Sequence, residues 1–121
     1  MPSRATVDAF VALVEEAEYE LAIERYYTED ASMQENLDPP RKGRADLVEN
    51  ERRALASFKS IRGKSVKPEL IEGDHVIIHW QFEFEFNDGS RRVLDELALQ
   101  RWQGEKIAEE RFYYDPKQMR G

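Results

Sequence analysis

The chain has no cysteine among its 121 residues. That excludes disulfides, thiolate nucleophiles and cysteine-ligated zinc, and it fits a reducing, cytoplasmic setting. Histidine is nearly as scarce: His75 and His79 are four apart with no third ligand in view, so no metal site is expected. Both read as outward surface or dimer-interface residues. An excess of positive charge is also missing. The formal net charge is −7, and the one basic run, Arg41-Lys42-Gly43-Arg44, is short, so neither nucleic acid nor an anionic membrane is expected as a partner. No apolar run approaches the roughly 20 residues of a membrane-spanning helix. Met1-Pro2-Ser3-Arg4-Ala5-Thr6 has no signal-peptide core behind it, which makes a cytoplasmic protein the expectation. With 40% hydrophobic and 36% charged residues the composition is globular, and the length suits one domain over residues 1–121. No nucleotide-binding motif is present, so no cofactor is expected.

Against these absences stands one dense feature, Val76-Ile-Ile-His-Trp-Gln-Phe-Glu-Phe-Glu-Phe86. Trp80, Phe82, Phe84 and Phe86 alternate strictly with His79, Gln81, Glu83 and Glu85. A period of two marks a half-buried strand, because successive side chains point to opposite faces. Four large aromatics on one face exceed what a close-packed sheet needs and imply the wall of a cavity.

The first third of the chain reads as helix. Val7, Phe10, Val14 and Ala17 recur at helical spacing, with Ser3 or Thr6 as candidate N-caps. A second helix is expected over residues 20–27, an extended run over 31–36, and a loop at Asp38-Pro39-Pro40. A third helix follows Gly43 and runs to about Phe58, with Leu47, Ala54, Leu55 and Phe58 on its buried face. Turn signals at Glu72-Gly73-Asp74, Asn87-Asp88-Gly89 and Gln103-Gly104-Glu105 then separate four strands, about 59–72, 75–86, 91–102 and 106–114. Helices followed by an antiparallel meander predict an α+β arrangement with the helices on one face of the sheet.

This layout resembles the nuclear transport factor 2-like superfamily. Tyr26-Tyr27-Thr28-Glu29-Asp30-Ala31 is similar to that family's helix exit into its first strand, and Lys42-Gly43-Arg44-Ala45 to the opening of its third helix. Gly104-Glu105-Lys106-Ile107 with Glu109-Glu110-Arg111-Phe112-Tyr113-Tyr114-Asp115 resembles the last hairpin and strand of the SnoaL-like polyketide cyclase branch. The resemblance implies a cone-shaped, cystatin-like α+β barrel, in which three N-terminal helices pack on a curved, mostly antiparallel sheet and enclose a pocket. It does not choose among the isomerases, cyclases, dehydratases, epoxide hydrolases and non-catalytic domains that share the fold.

Matching to the family turns Trp80, Phe82 and Phe84 inward. On the next strand it turns Leu94, Glu96, Ala98 and Gln100 inward, leaving Leu97 and Leu99 on an outer face that a sheet-to-sheet homodimer would cover. On the last strand it turns Ala108, Glu110, Phe112 and Tyr114 inward. That parity requires a three-residue turn centred on Gly104, with residue 98 opposite 110 and Glu96 diagonal to Glu110. Two carboxyl groups there, with Arg101 and Arg111 facing away, would have raised pKa values suited to general acid–base work.

Tyr26 and Tyr27 close the second helix, and Met33 and Glu35 sit on the short strand. The isomerase base of the family corresponds to Glu35 by ungapped counting, or to Asp38 by residue type with a three-residue insertion. The isomerase's second acid aligns with Ala98, and epoxide hydrolase positions align with Trp80, Phe82 and Phe112, so those catalytic sets are not preserved. The resulting expectation is a pocket for a small apolar or cyclic carbonyl compound. Glu110 and Glu96 would share proton transfer, Glu35 would assist, and Tyr26 would donate to an oxyanion. Met33, Trp80, Phe82, Phe84, Gln100, Phe112 and Tyr114 would contact substrate. A non-catalytic ligand-binding or dimerisation domain is the alternative.

Overall fold

A computed structural model describes residues 1–119; the last two positions of the expected single domain lie outside the described residues. Ser3 caps the first helix, α1 (Arg4–Glu15), its hydroxyl oxygen accepting from the Thr6 amide, and Val7, Phe10, Val11 and Val14 bury one face. Ala17 does not continue the helix. It takes the left-handed conformation (φ 62°), and the amides of Ala17 and Glu18 return to the carbonyls of Val14 and Leu13. That is a Schellman stop, here built on alanine instead of glycine.

The second helix, α2 (Tyr19–Tyr26), ends one residue earlier than the spacing predicts. The strand β1 (Tyr27–Glu35) begins at once, not at residue 31, because Tyr27 is drawn into the sheet opposite Ile107. A two-residue strand β2 (Arg41–Lys42) pairs with β1 and delivers the chain to α3 (Arg44–Ala56), with Gly43 at φ 97° in the turn. Leu47 and Val48 are buried on α3, while Ala54, expected in the core, stands at its exposed rim.

Four long strands follow: β3 (Phe58–Glu72), β4 (His75–Phe86), β5 (Arg91–Gln103) and β6 (Lys106–Tyr113). The sheet order is β2-β1-β6-β5-β4-β3, antiparallel except for the parallel β1–β6 pair. Three helices thus cover one face of a six-stranded, mostly antiparallel sheet in a cone-shaped α+β fold. A short 3₁₀ turn (Pro116–Met119) continues past β6, where the Gln118 side chain bonds both main-chain groups of Asp95.

The β5–β6 hairpin departs from expectation. Its turn has two central residues, Gly104 (φ 62°) and Glu105, with Gln103 facing Lys106. A two-residue turn alone would turn Glu110 to the outer face. A β-bulge corrects this: Trp102 pairs with Ile107 and Arg101 with Glu109, so Ala108 is an extra residue and parity is restored. Residue 98 therefore faces Phe112, and Gln100 faces Glu110. Glu96 and Glu110 are not diagonal neighbours; they lie two inward positions apart.

Candidate active site

Between the helices and the concave sheet face lies a cavity of about 330 Å³. Trp80, Phe82 and Phe84 form its β4 wall, and Phe86 is not in the lining but packs at a tilt of 59° against Phe58, with ring centres 5.1 Å apart. Phe82 lies flat over Gly63 of β3, so close that a methyl group at residue 63 would overlap the ring. Met33, Phe112 and Tyr114 also line the cavity, as do Glu35, Glu96 and Glu110.

Two expected contact residues are placed elsewhere. Tyr26 packs edge-on against Phe10 and is not in the lining; the hydroxyl at the site belongs to Tyr27, because α2 ends one residue early. Gln100 is fully buried behind the wall. The Trp102 indole, which can only donate, gives its proton to Gln100 Oε1 at 2.9 Å, and Gln100 Nε2 then donates to Glu110 Oε2 at 2.6 Å. Glu110 Oε1 accepts from the Tyr27 hydroxyl in a short hydrogen bond. Glu110 is thus gripped from both sides.

Glu96 differs in kind. It sits opposite Trp80 on β5, is 7% exposed, and its carboxyl makes no hydrogen bond among the described residues. Desolvation, then the neighbouring charges of Glu110, Glu35 and Glu51, raises its pKa to about 8. Burial pushes Glu110 to about 7, while the bonds from Gln100 and Tyr27 hold it down. Tyr27 is raised well above the ordinary phenol value by burial and by Glu110, so it stays a donor.

Glu35 stands exposed at the mouth, where it accepts from the Tyr114 hydroxyl at 2.9 Å and has the Arg41 guanidinium 4.0 Å away. Asp38 lies in the exposed loop beyond, outside the lining. Among the lining residues to which the sequence reading gave no role at the site, three are titratable. Glu51 of α3 is half-buried with its pKa raised, first by desolvation and then by Glu35 and Glu20. Its signal was available: it falls four residues after Leu47 and four before Leu55, an acid inside the apolar stripe. Tyr27 and Tyr19 are the others. Tyr19 donates to the Ile61 carbonyl at 3.2 Å, and burial, then Glu51, pushes its phenol up to about 12.

Among the described residues, no lysine, arginine or histidine lines the cavity. No group of three or more metal-ligating side chains occurs among the described residues. Nor is any described helix long and apolar enough to cross a membrane. Chemically, the site offers one buried acid without a partner among the described residues, one firmly held carboxyl group and a largely aromatic wall.

Solved structures share this architecture. One is a Mesorhizobium loti protein provisionally assigned as a SnoaL-like polyketide cyclase (24% identity, TM-score 0.81, covering 94% of this chain and 100% of that one). Another is a Catenulispora acidiphila hypothetical protein with a ketosteroid isomerase-like fold in complex with trimethylamine (18% identity, TM-score 0.81, 96% and 89% covered). A third is an M. tuberculosis epoxide hydrolase of the LEH-like type (15% identity, TM-score 0.77, 95% and 84% covered). At these identities the likeness is one of fold. No curated protein matches the chain significantly. The family model described as the SnoaL-like domain matches residues 7–110, and the chain belongs to that family.

Proposed function

We propose that this chain is a small-molecule pocket protein that performs cofactor-independent proton transfer on a small, largely apolar or cyclic carbonyl compound. Isomerisation, aldol cyclisation and dehydration are the reaction types within reach of such a site. The observation that carries the reading is the unequal pair in one cavity: a Glu96 without a hydrogen-bond partner among the described residues and a bonded Glu110.

Near neutral pH, Glu96 with its pKa at about 8 keeps its proton, and Glu110 at about 7 is the readier of the two to lose it. Neutral Glu96 then donates a hydrogen bond to the carbonyl oxygen, while the Glu110 carboxylate takes a proton from the adjacent carbon. The enolate so formed is held at oxygen by Glu96 and reprotonated at carbon by Glu110. Tyr27 and Gln100 position Glu110, and the Glu35–Tyr114 pair assists at the mouth. A second copy packed on the outer sheet face and a cytoplasmic setting complete the proposal.

Hydrogen–deuterium exchange at the α-carbons of a panel of cyclic ketones, followed by NMR, tests this reading before the substrate is known. Acceleration over buffer is expected, bell-shaped in pH with its maximum between about 7 and 8, and reduced roughly 100-fold or more in Glu110→Gln. Full exchange activity in Glu110→Gln would sink the assignment.

The two hydrogen bonds that hold Glu110 favour a second reading, a non-catalytic binding domain with the same pocket. Ketone binding without accelerated exchange selects it.

A further inference from the structure

The cavity holds more carboxyl groups than proton transfer needs. Besides Glu96 and Glu110, Glu51 reaches it from α3 and Glu35 from β1, and among the described residues no basic side chain lines it. The remaining titratable groups facing it are phenols: Tyr19 from α2, Tyr27 from β1, and Tyr114 beyond β6. Among the described residues, the one cation within 4 Å of any of the four acids is Arg41 at the mouth, 4.0 Å from Glu35. Arg52, on the same helix as Glu51, is engaged by Glu20 and Glu49. Glu96 is the strongest mark of this imbalance, a residue 7% exposed that lines the cavity and whose carboxyl has no hydrogen-bond partner among the described residues. The rest of the wall is aromatic, and the faces of Trp80, Phe82 and Phe84 attract cations through their ring quadrupoles.

We infer that the ligand of this cavity carries a cationic centre, a tertiary or quaternary ammonium on a small apolar skeleton, seated against the aromatic wall with Glu96 and Glu51 as its counter-charges. The inference rests on Glu96 being the free acid of the site, as the proton-transfer reading does. It does not depend on turnover. A Glu96–Glu110 pair that keeps one proton bears one negative charge, which a monocation balances; with Glu96 as the ionised member the proton lies on Glu110, so the acid and base roles are exchanged when such a ligand is bound.

The test is equilibrium titration of the full chain by calorimetry with choline and with 3,3-dimethylbutan-1-ol, its uncharged isostere in which carbon replaces nitrogen. Choline has no titrating nitrogen, so any pH dependence belongs to the protein. Choline is expected to bind at least about tenfold more tightly than the alcohol. Its affinity should rise from pH 6 to pH 9 as the cavity acids ionise, with protons released on binding when measured in buffers of different ionisation enthalpy. Glu96→Gln should remove most of the preference, and Glu51→Gln, a change on a half-buried helix face, should reduce it severalfold. Equal or tighter binding of the alcohol overturns the inference, and so does the absence of saturable choline binding. A preference that survives both substitutions also overturns it. Loss of ketone exchange with the charge preference intact would reject proton transfer alone.

Discussion

Glu96 shows how much one buried group can weigh. Its unfolded carboxyl ionises near 4.5 and its folded one at about 8, so between those values the folded state holds the extra proton. Stability contributed by the neutral acid is therefore complete below pH 4.5 and is lost as pH rises through about 8. The melting temperature should decline across that window, and Glu96→Gln should flatten the decline. The variant should exceed the wild type at pH 8 by on the order of 1–3 kcal/mol. Thermal denaturation at a series of pH values checks this, and parallel curves for the two proteins would contradict it. The inward direction of Glu96 followed from family parity on β5. The choice between Tyr26 and Tyr27 did not follow, because adjacent tyrosines swap faces when a helix ends one residue sooner. Only the packing of Tyr27 against Glu110 and Ile107 decides where α2 stops.

At the scale of elements, β3 and β4 form the cavity wall together. Gly63 is required because the Phe82 ring occupies the space a side chain would take. Gly63→Ala should push that ring into the cavity, at a stability cost of about 1–2 kcal/mol. It should also weaken binding of any cavity ligand. A melting curve and a titration measured together would reveal an unchanged cavity if the expectation is wrong. The four long strands and their hairpin pairing were legible from alternation and turn residues, whereas β2 and the parallel β1–β6 pair were not. The β6 bulge was not: Ile107 and Ala108 are both buried in succession, a break in period that only the pairing with Trp102 accommodates. Glu110 faces inward as expected, through a two-residue turn plus a bulge instead of a three-residue turn.

For the whole molecule the unpartnered feature is the outer sheet face. Leu70, Ile77 and Leu99 align across β3, β4 and β5, with Val93 57% and Leu97 47% exposed nearby, and Tyr113 faces Leu97. Such a patch favours self-association. Sedimentation of the wild type should give twice the 14.2 kDa chain mass, and Leu97→Glu should give the chain mass with its fold retained. A wild type that sediments as a monomer at tens of micromolar would remove the homodimer from the proposal.

The sequence by itself determined the fold class, the cavity wall on β4 and the inward face of β5. The first two rest on local periods and turns that neighbouring residues specify, the third on the parity that the family resemblance implied. The tertiary structure alone decided that Glu110 is gripped while Glu96 is free, that Tyr27 stands where Tyr26 was expected, and that Glu51 joins from α3. Those facts depend on which distant side chains meet. Partners such as Trp102, Gln100 and Tyr27 come together only when the helices close over the sheet.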